Sequence, residues 1–227
     1  MLLAAADNTG DLLTVLRAAA LLQIPADALD PAENAGLVQT GSGQIIFRHP
    51  LVRSVIYQEA PLNQRQRAHA ALADALPGVH EADRRAWHQA LAASTSDEPI
   101  AAAEEALAER ARQRAGHASA ATAFERAAAL TRDSPRLGRR LAAAAQAAWD
   151  AGQAERARAL IARALPWADG HVRARLLYLR GVIEQSCGSL DQAVITQLEG
   201  ARIRCAPAET ATGALPNPTV SYSPSQL

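Results

Sequence analysis

A glycine and two small residues recur at one spacing along the second half of the chain, and this limits the fold more than any other feature. The pattern Gly-x4-Ala-x6-Ala occurs at Gly116, Ala121 and Ala128 and again at Gly152, Ala157 and Ala164. A third copy, Gly188, Ala193 and Gly200, keeps the spacing with one substitution, so the offset is 36 residues both times. Helical-hairpin repeats of the tetratricopeptide kind run at about 34 residues. In such a pair a glycine serves the turn after the first helix, where positive φ is wanted. The two small residues then share one face of the second helix, where a neighbouring helix must approach closely. Leu160, Ile161 and Leu165 fill that face around Ala157 and Ala164, and Val172, Leu176, Leu179 and Ile183 do the same in the next helix. Arg156, Arg163, Arg173 and Arg180 fall on the polar sides.

Composition agrees with packed helices. About a quarter of the chain is alanine, and aromatic residues make up only 4%. All 23 basic residues are arginine, against 23 acidic ones. The absence of lysine excludes a P-loop of the G-x-x-x-x-G-K-[ST] type, a Schiff-base enzyme and a kinase-like phosphate lysine. Two cysteines, Cys187 and Cys205, make no disulfide framework, which favours a reducing cytoplasm. Asp7 interrupts the apolar start and no basic residue precedes it, unlike a signal peptide. No apolar run reaches the ~18 residues of a membrane span. The expected setting is cytoplasmic, with no membrane partner.

The one strong strand signal comes early. Leu37–Thr40 and Gln44–Arg48 flank Gly41-Ser42-Gly43, a β-hairpin pattern. Asp11 is placed to cap a helix carrying Leu12, Val15, Leu16 and Ala19. Pro31–Ala35 reads as a short helix ended by Gly36, and Pro50 and Pro61 open two more, the second with Leu62, Leu72 and Leu76 on one stripe. Helices with a small hairpin make a winged-helix module over 1–78, closed by Pro77-Gly78. The fold class expected is all-α with one hairpin: a winged helix, tetratricopeptide-like helical hairpins over 79–205, and a disordered Pro- and Ser-rich tail over 206–227. With no capping helix after the third hairpin, its outer apolar face is expected to be uncovered.

The segments Ala35–Val38, Phe47–Tyr57 (FRHPLVRSVIY) and Arg65–Leu76 (RQRAHAALADAL), with Arg85–Ser94 and Phe124–Asp133, resemble the large ATP-binding LuxR-type regulators of actinobacteria. The resemblance covers roughly residues 1–205. It implies a signal-transduction ATPase with a nucleotide-binding core, a winged helix, a helical sensor region and a C-terminal helix-turn-helix. Only the middle of that arrangement is matched here. The phosphate-binding loop is expected before Met1 and the DNA-reading domain after the repeats, and the change of composition near residue 205 suggests a frameshift. By resemblance, His49, just after the hairpin, touches the β-phosphate of ADP, and Arg48 and Arg53 add charge-assisted contacts. The alternative for His49 is a helix-opening residue bonded to local backbone.

Other candidates have plainer readings. His69 lies on the buried stripe as a satisfied core histidine, and Trp87-His88 packs in the core. The six histidines show no zinc-ligand spacing, and neither Gly41-Ser42-Gly43 nor Ser186-Cys187-Gly188 fits a nucleophile elbow. No nucleophile–base pair points to an enzyme. Residues 1–78 hold 5 arginines against 7 acids, which suits DNA poorly. Arg110, Arg112, Arg114, Arg136, Arg139 and Arg140 read as a solvated face with Glu104, Glu105 and Glu109, or as a dock for an acidic partner. The sequence thus predicts the winged helix and sensor repeats of a LuxR-type regulator, with no cofactor of its own, ATP or ADP in the intact family, and a protein or small-molecule inducer at the repeats. Oligomerisation is expected only in the intact family. The alternative is a stand-alone repeat scaffold that binds a partner peptide.

Overall fold

A computed structural model describes residues 1–187 and 190–205, with side chains placed outside 190–193 and 204–205. The tail expected over 206–227, Gly188 of the third repeat copy and the side chain of Cys205 lie outside the described residues. The chain is mainly helical with one small antiparallel sheet. Met1–Ala168 form one compact unit, and a second begins at Asp169.

The first unit opens with α1 (Leu2–Ala6), whose Leu3, Ala4, Ala5 and Ala6 are all buried. Asp11 then caps α2 (Leu12–Leu21), its carboxylate accepting from the amides of Leu13 and Thr14. A 3-10 turn at Ala26–Leu29 leads into α3 (Asp30–Asn34). The hairpin follows: β1 (Val38–Gly41) pairs with β2 (Gln44–Phe47), with Val38 opposite Phe47 and Gly41 opposite Gln44. Ser42 and Gly43 both take positive φ, the two-residue turn whose twist suits a hairpin. Gly10 and Leu12 add a third line of backbone bonds, to Ile45 and Gly43. A Cβ at Gly10 would come 2.8 Å from the Ile45 carbonyl oxygen, and φ there is +70°.

Two proline-opened helices close this module, α4 (Pro50–Glu59) and α5 (Leu62–Asp74). Leu72 and Leu76 are fully buried, Leu72 in one core with Val15, Ala18 and Val38. Leu62, expected on the same stripe, is 63% exposed, because α5 reaches the core only from Ala68 onward. The chain continues across Pro77-Gly78 into α6 (Ala82–Ala92), which packs along α5. Arg85 braces that corner by donating to the carbonyls of Leu76 and Gly78.

Helical hairpins begin at α7 (Glu98–Gln113) and α8 (His117–Ala129), followed by α9 (Ser134–Asp150) and α10 (Ala154–Ala164). The small positions of the repeat are sealed: Ala121, Ala157 and Ala164 are 0% exposed and Ala128 is 2%. Gly152 takes φ +74° at its turn as expected. At the equivalent turn the positive φ belongs to Ala115, not Gly116, which instead sits where a Cβ would come 3.1 Å from the Ala111 carbonyl oxygen. Between hairpins, side chains join helices of the same rank. Arg140 of α9 reaches Glu98 and Glu105 of α7, and Arg156 of α10 reaches Glu125 of α8. In the second unit α11 (Gly170–Cys187) pairs with α12 (Leu190–Cys205). Leu176, Leu179 and Ile183 are buried there, while Val194, Ile195 and Leu198 are exposed. No described helix is long and apolar enough by itself to cross a membrane.

Candidate functional site

Buried and half-buried side chains from four helices of the first unit converge in a line. Asp7 stands at the C-cap of α1, Tyr57 on α4, His69 on α5, and Arg84, Trp87 and His88 on α6. Asp7, His69 and His88 are at most 1% exposed. The Tyr57 hydroxyl lies 2.8 Å from His69 Nε2, and His69 Nδ1 lies 2.8 Å from His88 Nδ1. His88 Nε2 then faces Asp7 Oδ1 at 3.9 Å with no hydrogen-bond partner of its own. Trp87 stands edge-on to His69 at 5.4 Å between ring centres.

Electrostatics assign the protons along this line. A carboxylate opposite His88 Nε2 favours a proton there, so His88 Nδ1 accepts from the Nδ1–H of His69. His69 Nε2 is then bare and accepts from the Tyr57 O–H. Every proton therefore points toward Asp7. Burial pushes both imidazoles down to about 4, assisted at His69 by Arg65 and at His88 by the His69 ring, so both are neutral at pH 7.

Asp7 is itself held from all sides. Its Oδ2 accepts from the amides of Thr9 and Asp11 and from the Thr9 hydroxyl, and Oδ1 accepts from Arg84 at 3.0 Å. Arg53 donates to the main-chain carbonyls of Ala5 and Asp7, both at 3.0 Å, closing the end of α1. Arg53, Ser54, Tyr57, Gln58 and Trp87 also line a cavity of about 360 Å³, so the outer end of the line meets an open space. The arrangement ties the α1 terminus, the hairpin module and α6 into one hydrogen-bonded cluster, with Tyr57 at the cavity end of its histidine line. Among the described residues no group of three His, Cys, Asp or Glu is placed to hold a metal ion.

The residues marked by resemblance lie near this cluster without forming part of its line. His49 caps α4, its Nδ1 accepting from the Leu51 amide at 3.1 Å, and its ring is exposed. Arg48 is exposed beside Gly36, and Arg53 is engaged on carbonyls. His69 is the satisfied core histidine expected, bonded at both nitrogens. Its link through His88 to Asp7 had one sequence signal, an acid at the end of an otherwise apolar opening run.

Arg112, Arg114, Arg136 and Arg139 of the basic cluster on the repeats lie on a solvated face as expected, but Glu104 and Arg140 are buried. Glu104 is 0% exposed and pairs with Arg126 at 2.9 Å, leaving its second oxygen unpartnered, and burial raises its pKa. Arg140 is 3% exposed and bonds Glu98, Glu105 and Thr131. Close helix approach over alanine leaves these side chains no route to solvent. Arg112 pairs with Glu109 at the surface, and Arg110 and Arg114, also solvated, pair with Asp83. No family model, no curated protein and no solved structure matches the chain.

Proposed function

We propose that this chain supplies the winged helix and the sensor repeats of an ATP-dependent LuxR-type transcription regulator. What supports this most is the junction between its two kinds of structure. The first helix after the hairpin module, α6, is tied to that module's core by Arg84 on Asp7 and His88 on His69. A sensor array that must report to a switch needs such a rigid joint. An inducer, protein or small molecule, that shifts the helical hairpins would act on α6, which packs against α7. Movement of α6 would then reach Asp7 and the loop that pairs with β2 through Gly10.

In this reading His49 and Arg48, exposed just past β2, meet a nucleotide supplied by a separate ATP-binding domain. The chain itself adds no catalytic group, and DNA contact belongs to a helix-turn-helix elsewhere in the regulator. Oligomerisation belongs to the intact regulator in the cytoplasm. The test is translation, in every frame, of the DNA on both sides of this reading frame. A P-loop with its lysine upstream and a helix-turn-helix downstream are expected. Finding neither overturns the proposal in favour of a stand-alone scaffold whose hairpins bind a partner peptide.

A further inference from the structure

A second cavity, of about 330 Å³, lies between α1, α2 and α5, and its chemistry differs from that of the Tyr57 cavity. Leu3, Val15, Leu16, Leu22 and Leu29 give it hydrocarbon walls. The chain reverses after α2 at Gln23, which takes φ +58°, and this brings both Leu22 and Ile24 to the lining. Polar side chains enter only at the α5 edge, where Gln64 and Arg67 stand one turn apart. Arg67 is exposed, and among the described residues no carboxylate pairs with it and no hydrogen bond engages its guanidinium. By contrast, Arg53, Arg84, Arg85, Arg126, Arg140 and Arg156 are all engaged.

A hydrocarbon-walled space with one unpaired guanidinium at its rim is complementary to an aliphatic tail ending in one carboxylate. The planar fork of arginine fits that group with two parallel hydrogen bonds. A sugar needs several polar partners, and this lining offers little beyond Gln64, Arg67 and the half-buried amino group of Met1, whose charged form burial disfavours. Size narrows the choice: at about 30 Å³ per water-sized group the space takes about eleven non-hydrogen atoms, an acid of eight to ten carbons. We propose that this cavity binds a medium-chain fatty acid, with its tail between α1 and α2 and its carboxylate on Arg67. The inference does not depend on the regulator reading, since the site is complete within the first unit.

Decanoate, kept below its micelle-forming concentration, is the probe, and calorimetric titration of the full chain is the measurement. One-to-one binding is expected, about tenfold tighter than decanol, because a charge-assisted forked contact adds roughly that factor. Arg67→Gln should weaken decanoate about tenfold and leave decanol unchanged. Ala28→Leu, which adds bulk to the lining from an exposed position, should block both ligands while the helical circular dichroism is retained. Absence of decanoate binding overturns the proposal. So does binding that survives both substitutions, which would be adsorption to apolar surface.

Discussion

The buried histidine pair makes the stability of this protein depend on pH in a direction fixed by its surroundings. Both rings have folded-state values of about 4, against 6.5 when solvated. A lowered folded value means the unfolded chain binds the extra protons, so stability is complete above pH 6.5 and is lost as the pH falls toward 4. At pH 5.5 the unfolded rings are mostly protonated and the folded ones are not. The loss is roughly 1–2 kcal/mol for each ring and about 3 kcal/mol for the two together. The groups facing the pair are Asp7 from α1, Tyr57 from α4, Arg65 from α5 and Arg84 from α6. Asp7 alone favours a proton on His88, and the two arginines oppose charging of the rings. Urea unfolding followed by circular dichroism at pH 7.5 and pH 5.5 reads the difference directly. In the variant His69→Gln/His88→Gln the difference between the two pH values should shrink by the same amount, whatever the variant's absolute stability. A second readout is the imidazole proton resonances of the unaltered protein, of which two should not move above pH 5. Equal stability at the two pH values, or all six rings moving above pH 5, refutes the reasoning.

Other consequences are smaller in scope. A Cβ at Gly138 would overlap the Trp167 carbonyl oxygen and lie 2.8 Å from its carbon, so Gly138→Ala should cost about 1–3 kcal/mol. Gly152→Ala meets nothing within 4 Å and should cost only the strain of positive φ, about 1 kcal/mol, so thermal melts should rank the first below the second. Glu104→Ala leaves Arg126 without its buried partner and should cost about 3 kcal/mol, whereas Glu109→Ala, at the surface, should leave the denaturation midpoint in place. Tyr57→Phe removes the donor to His69 Nε2 and should cost about 1–2 kcal/mol in urea unfolding while preserving the α-helical signal.

Local signals in the sequence carried much of this architecture. The hairpin lies within a residue of the two apolar runs around Gly41-Ser42-Gly43, and Asp11 caps α2 where its side chain type predicted. The small residues of the repeat are sealed at α8 and α10 because helix spacing alone sets which face they share. Burial that depends on distant chain was illegible. Asp7 meets Arg53 across 46 positions and Arg84 across 77, and no period links such residues. Likewise Glu104 looks like its neighbours Glu105 and Glu109 until α8 covers it. His69 and His88 were legible singly as core residues, but their shared proton depends on how α5 and α6 cross.

Alanine gives helix contacts closeness but little relief, so two alanine faces can slide past one another with small change in contact. The arginine ties between equal-ranking helices remove that freedom, since Arg140 reaches Glu98 and Glu105 and Arg156 reaches Glu125 and Thr122 only at one offset. They act as alignment pins, which separates two tasks within each hairpin. The alanine faces decide that the helices associate, and a few guanidinium forks decide at what register. A hairpin could then be duplicated or exchanged within the array as long as its pins matched, and drift among its small residues would leave the registration intact.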